Sequence, residues 1–157
     1  MNMKMLGAFA AVALLAACAA PQQAATTGSG ATVATAGPAP GSEEDLVKNV
    51  GDRVFFAFDK SVLTPEDRAT LDKQAAWLKQ YAQNNVQIAG NCDDRGTEEY
   101  NIALGWRRAN ATRDYLVAKG IAGSRMTTIS YGKDRPTALG SNEQAWAQNR
   151  NAITSVR

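Results

Sequence analysis

Between Gly90 and Asn110 the chain reads GNCDDRGTEEYNIALGWRRAN, and few folds accommodate such a stretch. Ahead of it, Val86-Gln87-Ile88-Ala89 alternates apolar and polar side chains as a half-buried strand does, and the acids and Arg-Gly pair that follow must turn the chain. Thr97 with Glu98 and Glu99 behind it is a helix start, a hydroxyl to cap free N–H groups and negative charge at the positive end of the dipole. A strand that ends and a helix that begins this close together fold back on one another, which predicts helices laid on a sheet.

Along that helix Leu104, Arg108, Thr112, Tyr115, Leu116 and Lys119 recur at three- and four-residue steps and share one face, so Arg108 interrupts an otherwise apolar stripe. A guanidinium placed there requires an anion. Asp93, at the strand's end, is the nearest acid able to sit across from it. Two readings follow. The carboxylate and the planar fork suit a zwitterion, taking its ammonium and its carboxylate respectively, or the two residues form a structural ion pair with no ligand. The residues alone do not choose between them.

The stretch resembles the signature of the OmpA-like peptidoglycan-binding domain, most closely in the version found in peptidoglycan-associated lipoproteins, approximately GHADERGTxEYNxxLGxRRAN. The resemblance runs from about Val54 to Val156 and takes in Phe58-Asp59-Lys60, Ser130-Tyr131-Gly132-Lys133 and Asn149-Arg150. It implies a domain that holds the diaminopimelate of peptidoglycan stem peptides without covalent chemistry. Asp93 matches the acid that takes the ammonium and Arg108 the arginine that takes the carboxylate. Asn101 and Leu104 match residues lining the same pocket, with Asp94 in the adjoining turn. Lysine-type walls lack that carboxylate and would leave the buried arginine unpaired, which is the expected source of selectivity. The resemblance also implies exchange between the wall and TolB, the periplasmic propeller of the Tol system, in support of envelope integrity and cell division. Three residues depart from the pattern: Asn91 where His is usual, Trp106 where an acid is common, and Asn151 where a second Arg is common. Helical spacing puts Trp106 off the Arg108 face, and Arg107 points about 100° away from it.

The rest of the chain fits an envelope protein. Lys4, the apolar run Leu6 to Ala17 and the closing Leu15-Ala16-Ala17-Cys18 read as a signal peptide (residues 1–17) that ends in a sequence resembling a bacterial lipobox, with Cys18 as the acylated residue. Several acyl chains would hold such a protein on a membrane, since each buried CH₂ contributes roughly 0.8 kcal/mol. Ala19 follows the Cys, where an Asp would favour inner-membrane retention, and the resemblance therefore implies the outer membrane, facing the periplasm. If Cys18 is lipidated, Cys92 has no partner and reads as a small buried hydrophobe; the alternative is a disulfide between the two. Residues 18–41 hold Cys18 and then Ala19 to Gly41, which is dominated by Ala, Thr, Gly, Pro and Gln and has no charge, a flexible linker with an r.m.s. span of about 25 to 30 Å.

The folded domain is expected over 42–157. Arg53 to Phe58 reads as a strand, Thr64-Pro65-Glu66-Asp67 as a helix start, and Leu71, Ala75, Leu78 and Ala82 as one face of a helix running to about Asn84. Trp77 and Tyr81 beside that stripe are expected to pack rather than stack on a ligand. Gly120 caps the central helix, Met126 to Ser130 makes a strand, Ser141 to Gln148 a short helix, and Ala152 to Val156 a closing strand. The fold class is α+β, two layers, with helices on one face of a mixed β-sheet.

With 157 residues, 45% of them apolar, the chain can bury a real core, and a formal charge of +2 without a basic stripe excludes a nucleic-acid binder. The chain has no histidine, which removes the commonest general base and zinc ligand, so no metal or cofactor is expected. An envelope enzyme using Asp93, Asp94, Glu98 or Glu99 as acid and base is the weaker alternative, because Glu98 and Glu99 serve the helix start. A domain of this shape whose pocket has decayed, leaving only protein partners, is the stronger one.

Overall fold

The computed structural model describes residues 37–157, so the expected signal peptide, Cys18 and the linker up to residue 36 lie outside the described residues. One mixed sheet has the strand order β1-β4-β2-β3, with β1 Arg53–Phe55, β2 Val86–Asn91, β3 Met126–Gly132 and β4 Asn151–Val156. β4 is antiparallel to both neighbours and β2 is parallel to β3. A parallel pair needs a crossover, and the helix that follows β2 supplies it. The helices are α1 Glu43–Asp45, α2 Pro65–Gln80, α3 Glu98–Ala118 and α4 Glu143–Asn149. This is the expected α+β arrangement. Leu71 and Leu78 of α2, Leu116 of α3, Val54 of β1 and Val86 and Ile88 of β2 meet in the core between helices and sheet.

Local chemistry starts each helix where it starts. Thr64 and Asp67 form a reciprocal capping box, with Thr64 Oγ1 accepting from the Asp67 N–H and Asp67 Oδ2 accepting from the Thr64 N–H, and Pro65 opens the helix. Asp67 Oδ1 also accepts the Phe55 N–H at 2.9 Å, so the cap of α2 is tied to β1. Ser42 caps α1, and the Asp45 carboxylate gathers the Gly41 N–H, the Asn49 amide and the Trp77 indole N–H. Trp77 is buried against Tyr81, ring centroids 5.1 Å apart, so both pack as expected. At the end of α3 the Gly120 N–H donates to the Val117 carbonyl and the Ile121 N–H to the Leu116 carbonyl, with Gly120 at φ +90°. That double closure is a Schellman ending, and buried Ile121 and Leu116 accompany it.

α4 begins at Glu143 instead of Ser141, because Asn142 caps it by accepting the Ala145 N–H; two C-terminal boundaries also fall short of the expected ones. β1 stops at Phe55 instead of Phe58, because the next residues spend their backbone groups elsewhere. The Phe56 N–H donates to the Arg150 carbonyl, the Phe56 carbonyl accepts Arg150 Nε, and the carbonyls of Ala57 and Lys60 accept from Arg108. α2 stops at Gln80 instead of Asn84, leaving Ala82 exposed. There Arg125 collects the Tyr81 and Asn84 carbonyls, and the Asn84 amide donates to the Gly41 carbonyl, an arrangement that a continuing helix could not offer.

α3 lies unusually close to β2. A Cβ placed on Gly90 would sit 1.8 Å from the Gly105 carbonyl oxygen, so at this crossing backbone rests on backbone. Cys92, just beyond the strand, continues the buried side of Val86, Ile88 and Gly90.

Candidate functional site

The close crossing brings the first turns of α3 against the end of β2 and the loop after β1, and between them lies a cavity of about 180 Å³. Arg108, Asp93, Asp59, Arg95, Tyr100 and Leu104 line it. Arg108 is 1% exposed. Its Nη1 donates to the Asn91 carbonyl at 2.7 Å, Nε to the Lys60 carbonyl at 2.9 Å, and Nη2 to the Ala57 carbonyl at 3.3 Å. No carboxylate pairs with it among the described residues. Burial pushes its pKa down, opposed by the Cys92 and Asp93 charges. A cation held dry by neutral carbonyls alone is an incomplete arrangement.

Asp93, 4% exposed, does not pair with Arg108 as one reading expected. It pairs instead with Arg95, whose Nη2 is 2.6 Å from Oδ2, and with Arg150, whose Nη1 is 3.4 Å from the same oxygen. Arg95 is close in sequence and can wrap back onto the carboxylate, whereas Arg108 is committed to the Ala57, Lys60 and Asn91 carbonyls. The Arg95 guanidinium is itself held between the rings of Phe58 and Trp146, 4.1 and 4.0 Å from their centroids. Arg150 also reaches Glu143 at 2.8 Å.

Burial would raise the Asp93 pKa, but the hydrogen bonds and charge of Arg95, with Arg150, outweigh it and hold the carboxyl below its ordinary value of 3.8. A lowered native value means a stabilising contribution complete above the unfolded value and lost as pH falls through the native one. The stability difference between the wild-type chain and Asp93→Asn should therefore be flat at neutral pH and shrink only below about pH 4, read by thermal denaturation across pH.

The other expected site residues divide. Leu104 and Asn101 line the cavity, but both amide protons of Asn101 are donated to the Arg95 and Thr97 carbonyls, so Asn101 fastens the turn. Asp94 lies outside this cavity, where it accepts from the Trp146 indole and the Ser141 hydroxyl. Trp106 is 40% exposed and off the Arg108 face. Asn91 and Asn151, two of the departures from the pattern, meet: Asn91 Nδ2 donates to Asn151 Oδ1 at 2.8 Å in a buried pair. Asn151 in turn donates to Thr137 and Gln148, so neither amide is stranded. Sequence reasoning assigned no role to Asp59, Arg95, Tyr100 or Arg150. Arg95 was within reach of it, since a residue two beyond an acid in a turn can fold back on that acid. The Arg150 contact depends on a strand pairing across the sheet that no local pattern reveals.

Cys92 is free and buried, its Sγ 3.3 Å from the Asn101 carbonyl, and burial pushes the thiol up to about 11. Alkylation mapped by peptide mass spectrometry at pH 8 should leave Cys92 unmodified in the folded chain and modify it once denatured.

A sequence model of the OmpA family matches residues 55–150. The chain belongs to the OmpA family. Among curated members, this OmpA-family chain is 51% identical over 144 residues to the peptidoglycan-associated lipoprotein of Rhizobium meliloti strain 1021, over 89% of this chain and 80% of that one. It is 49% identical over 134 residues to the protein of the same name in Brucella melitensis, over 85% of this chain and 77% of the relative. Among solved structures it is similar to the peptidoglycan-associated lipoprotein of Burkholderia pseudomallei, TM-score 0.66 at 42% identity, over 68% of this chain and 90% of that one. The resemblance read from Gly90 to Asn110 is thus to the right family. That family comprises structural peptidoglycan-binding proteins and not enzymes, so the acid–base reading of Asp93, Asp94, Glu98 and Glu99 is set aside.

Proposed function

We propose that this OmpA-family chain clamps the outer membrane to peptidoglycan by holding diaminopimelate in the cavity at Arg108. The observation that carries this reading is Arg108 itself, a buried cation with no carboxylate partner among the described residues, on the wall of a cavity that Asp59 and Asp93 also line. Three of its donors are used on carbonyls, which leaves a pair of N–H groups for an incoming carboxylate from a guanidinium that has about five. Asp93 supplies negative charge for the ammonium on the same carbon, and Leu104 gives the methylene chain an apolar wall. A lysine-type stem peptide brings the amine without the carboxylate and leaves those donors unmet.

The remaining parts follow from the same reading. Residues 1–17 are a signal peptide, Cys18 is acylated and sits in the outer membrane, residues 18–41 are a tether, and 42–157 is the periplasmic wall-binding domain. TolB is the expected protein partner, in a Tol-Pal system that supports envelope integrity and division. Co-sedimentation of the purified full chain with diaminopimelate-type and lysine-type sacculi tests the central claim, alongside Asp93→Ala. Binding to the first alone, lost in the folded variant, supports the clamp. A folded chain that sediments with neither would move the function to protein partners.

A further inference from the structure

A hydrogen-bonded clasp fastens the chain at the end of the domain remote from the cavity. The Asp45 carboxylate, 8% exposed, receives the Gly41 N–H at 2.9 Å and the Trp77 indole N–H at 2.8 Å on Oδ2, and the Asn49 amide at 2.7 Å on Oδ1. The Gly41 carbonyl accepts from the Asn84 amide at 2.8 Å, and Glu43 Oε2 accepts the Val156 N–H. Leu46, next in the chain, is buried in the core. Residues 41–46 are thereby held to α2, to the turn after it and to the last residues of β4. Val156 pairs with Val86 at this end of the sheet, whereas Gly90 and Asn91 lie at the other end, where the Asn91 carbonyl meets Arg108.

The position of the clasp along the chain matters as much as its place in space. Twelve positions separate Asp45 from Ala57, whose carbonyl, with that of Lys60, is held by Arg108 at the cavity. Between them lies β1, three residues long and paired to β4 alone. A chain held to a membrane at one end and to the wall at the other carries tension whenever the two layers move apart. Without a fixed point ahead of β1, tension arriving at Gly41 would run through residues 46–50 and β1 into the loop that Arg108 holds. With Asp45 bound to Trp77 it passes to α2, which Leu71 and Leu78 anchor in the core. Hydrogen bonds to a carboxylate are about twice as strong as those between neutral groups, and buried Trp77 cannot follow a displaced partner.

Resting on the proposed wall-binding and tether reading, we propose that Asp45 is a positioning residue for wall binding under load: through Trp77 it diverts tether tension into α2 and keeps it out of the loop after β1. Asp45 does not line the cavity, so its effect on binding is confined to a chain that is being pulled.

The test is force spectroscopy of the full chain, purified without acylation, on diaminopimelate-type sacculi, with two handles. In the first arm the Cys18 thiol carries the handle, Cys92 being buried. In the second, Cys18→Ser with Arg157→Cys moves the handle to the end of β4, and load no longer crosses residues 41–46. Each arm compares the otherwise wild-type chain with Asp45→Ala and with Trp77→Phe, which keeps an aromatic ring and removes the indole donor, and folding is checked by circular dichroism. The expected result is wild-type co-sedimentation without load, a lifetime under load from Cys18 shortened about tenfold in both variants, and no change when load enters at residue 157. Wild-type lifetimes from both handles would overturn the proposal while leaving wall binding intact. Equal shortening from both handles, or binding lost without load, would make Asp45 a general support of the fold and overturn it too. An otherwise wild-type chain that never holds the sacculus would overturn the wall reading and this one together.

Discussion

Replacing Arg108 with alanine is expected to abolish binding to diaminopimelate-type sacculi and to destabilise the fold by about 3 kcal/mol or more. The two losses have different origins. Binding is lost because the ligand's carboxylate loses its cationic partner. Stability is lost because the Asn91 carbonyl, in the buried bond, and the Lys60 carbonyl are left without this donor, while the Ala57 carbonyl keeps only the Lys60 N–H; an unmet buried group costs about 1–3 kcal/mol, less whatever water recovers. Arg108→Lys separates the effects, since it keeps the charge but not the fork that spans those carbonyls. Sedimentation with sacculi and urea denaturation of both variants read the outcome. Wild-type stability in Arg108→Ala would mean that the guanidinium does not organise the loop after β1.

The second large effect involves no charge. Gly90→Ala is expected to cost about 4 kcal/mol or more, a large share of the 5–15 kcal/mol that typically stabilises a domain, and to leave little soluble folded protein. The added Cβ would meet the Gly105 carbonyl oxygen at 1.8 Å and its carbon at 2.6 Å, and neither backbone atom can move without lifting α3 off the sheet. Gly105→Ala should be milder. Its nearest obstacle is the Ser130 hydroxyl, a side chain able to rotate, with the Gly90 carbonyl oxygen further off at 2.8 Å. Urea midpoints should therefore rank wild type, Gly105→Ala, Gly90→Ala, and the reverse order for the two variants would contradict this account of the crossing.

Much of this was legible in the chain itself, and the limits have physical reasons. The α3 face, the cap at Thr64 and the Gly120 ending rest on local spacing and capping chemistry, and they appear in the structure as read. The burial of Arg108 was also readable, because it interrupts an apolar stripe at helical spacing. Its actual neighbours were not. They are the carbonyls of Ala57 and Lys60, about fifty positions away, and of Asn91 at the end of β2, and a carbonyl has no sequence signature. The same is true of Asp93, whose partners were settled by the wrap of Arg95 and by β4 arriving with Arg150. The end of β1 was misplaced because Phe56 and Phe58 favour a strand intrinsically, while long-range side chains captured the backbone groups that a strand would have used. Gly90 carried a readable signal, a glycine in the middle of a strand pattern, which marks close approach of another backbone.

The strand order β1-β4-β2-β3 also bears on when this domain can exist. β4 is the last strand in chain order, yet it sits between β1 and β2 and supplies hydrogen bonds to both. Until it emerges, β1 has no neighbour in the sheet, Asp93 lacks Arg150, and the Phe56 backbone lacks its partner. Pairings that close such long loops form slowly, so during synthesis the sheet cannot be completed until nearly all of the chain is available. Under the proposed export of the chain across a membrane, that delay keeps the pocket from assembling before the whole chain has arrived.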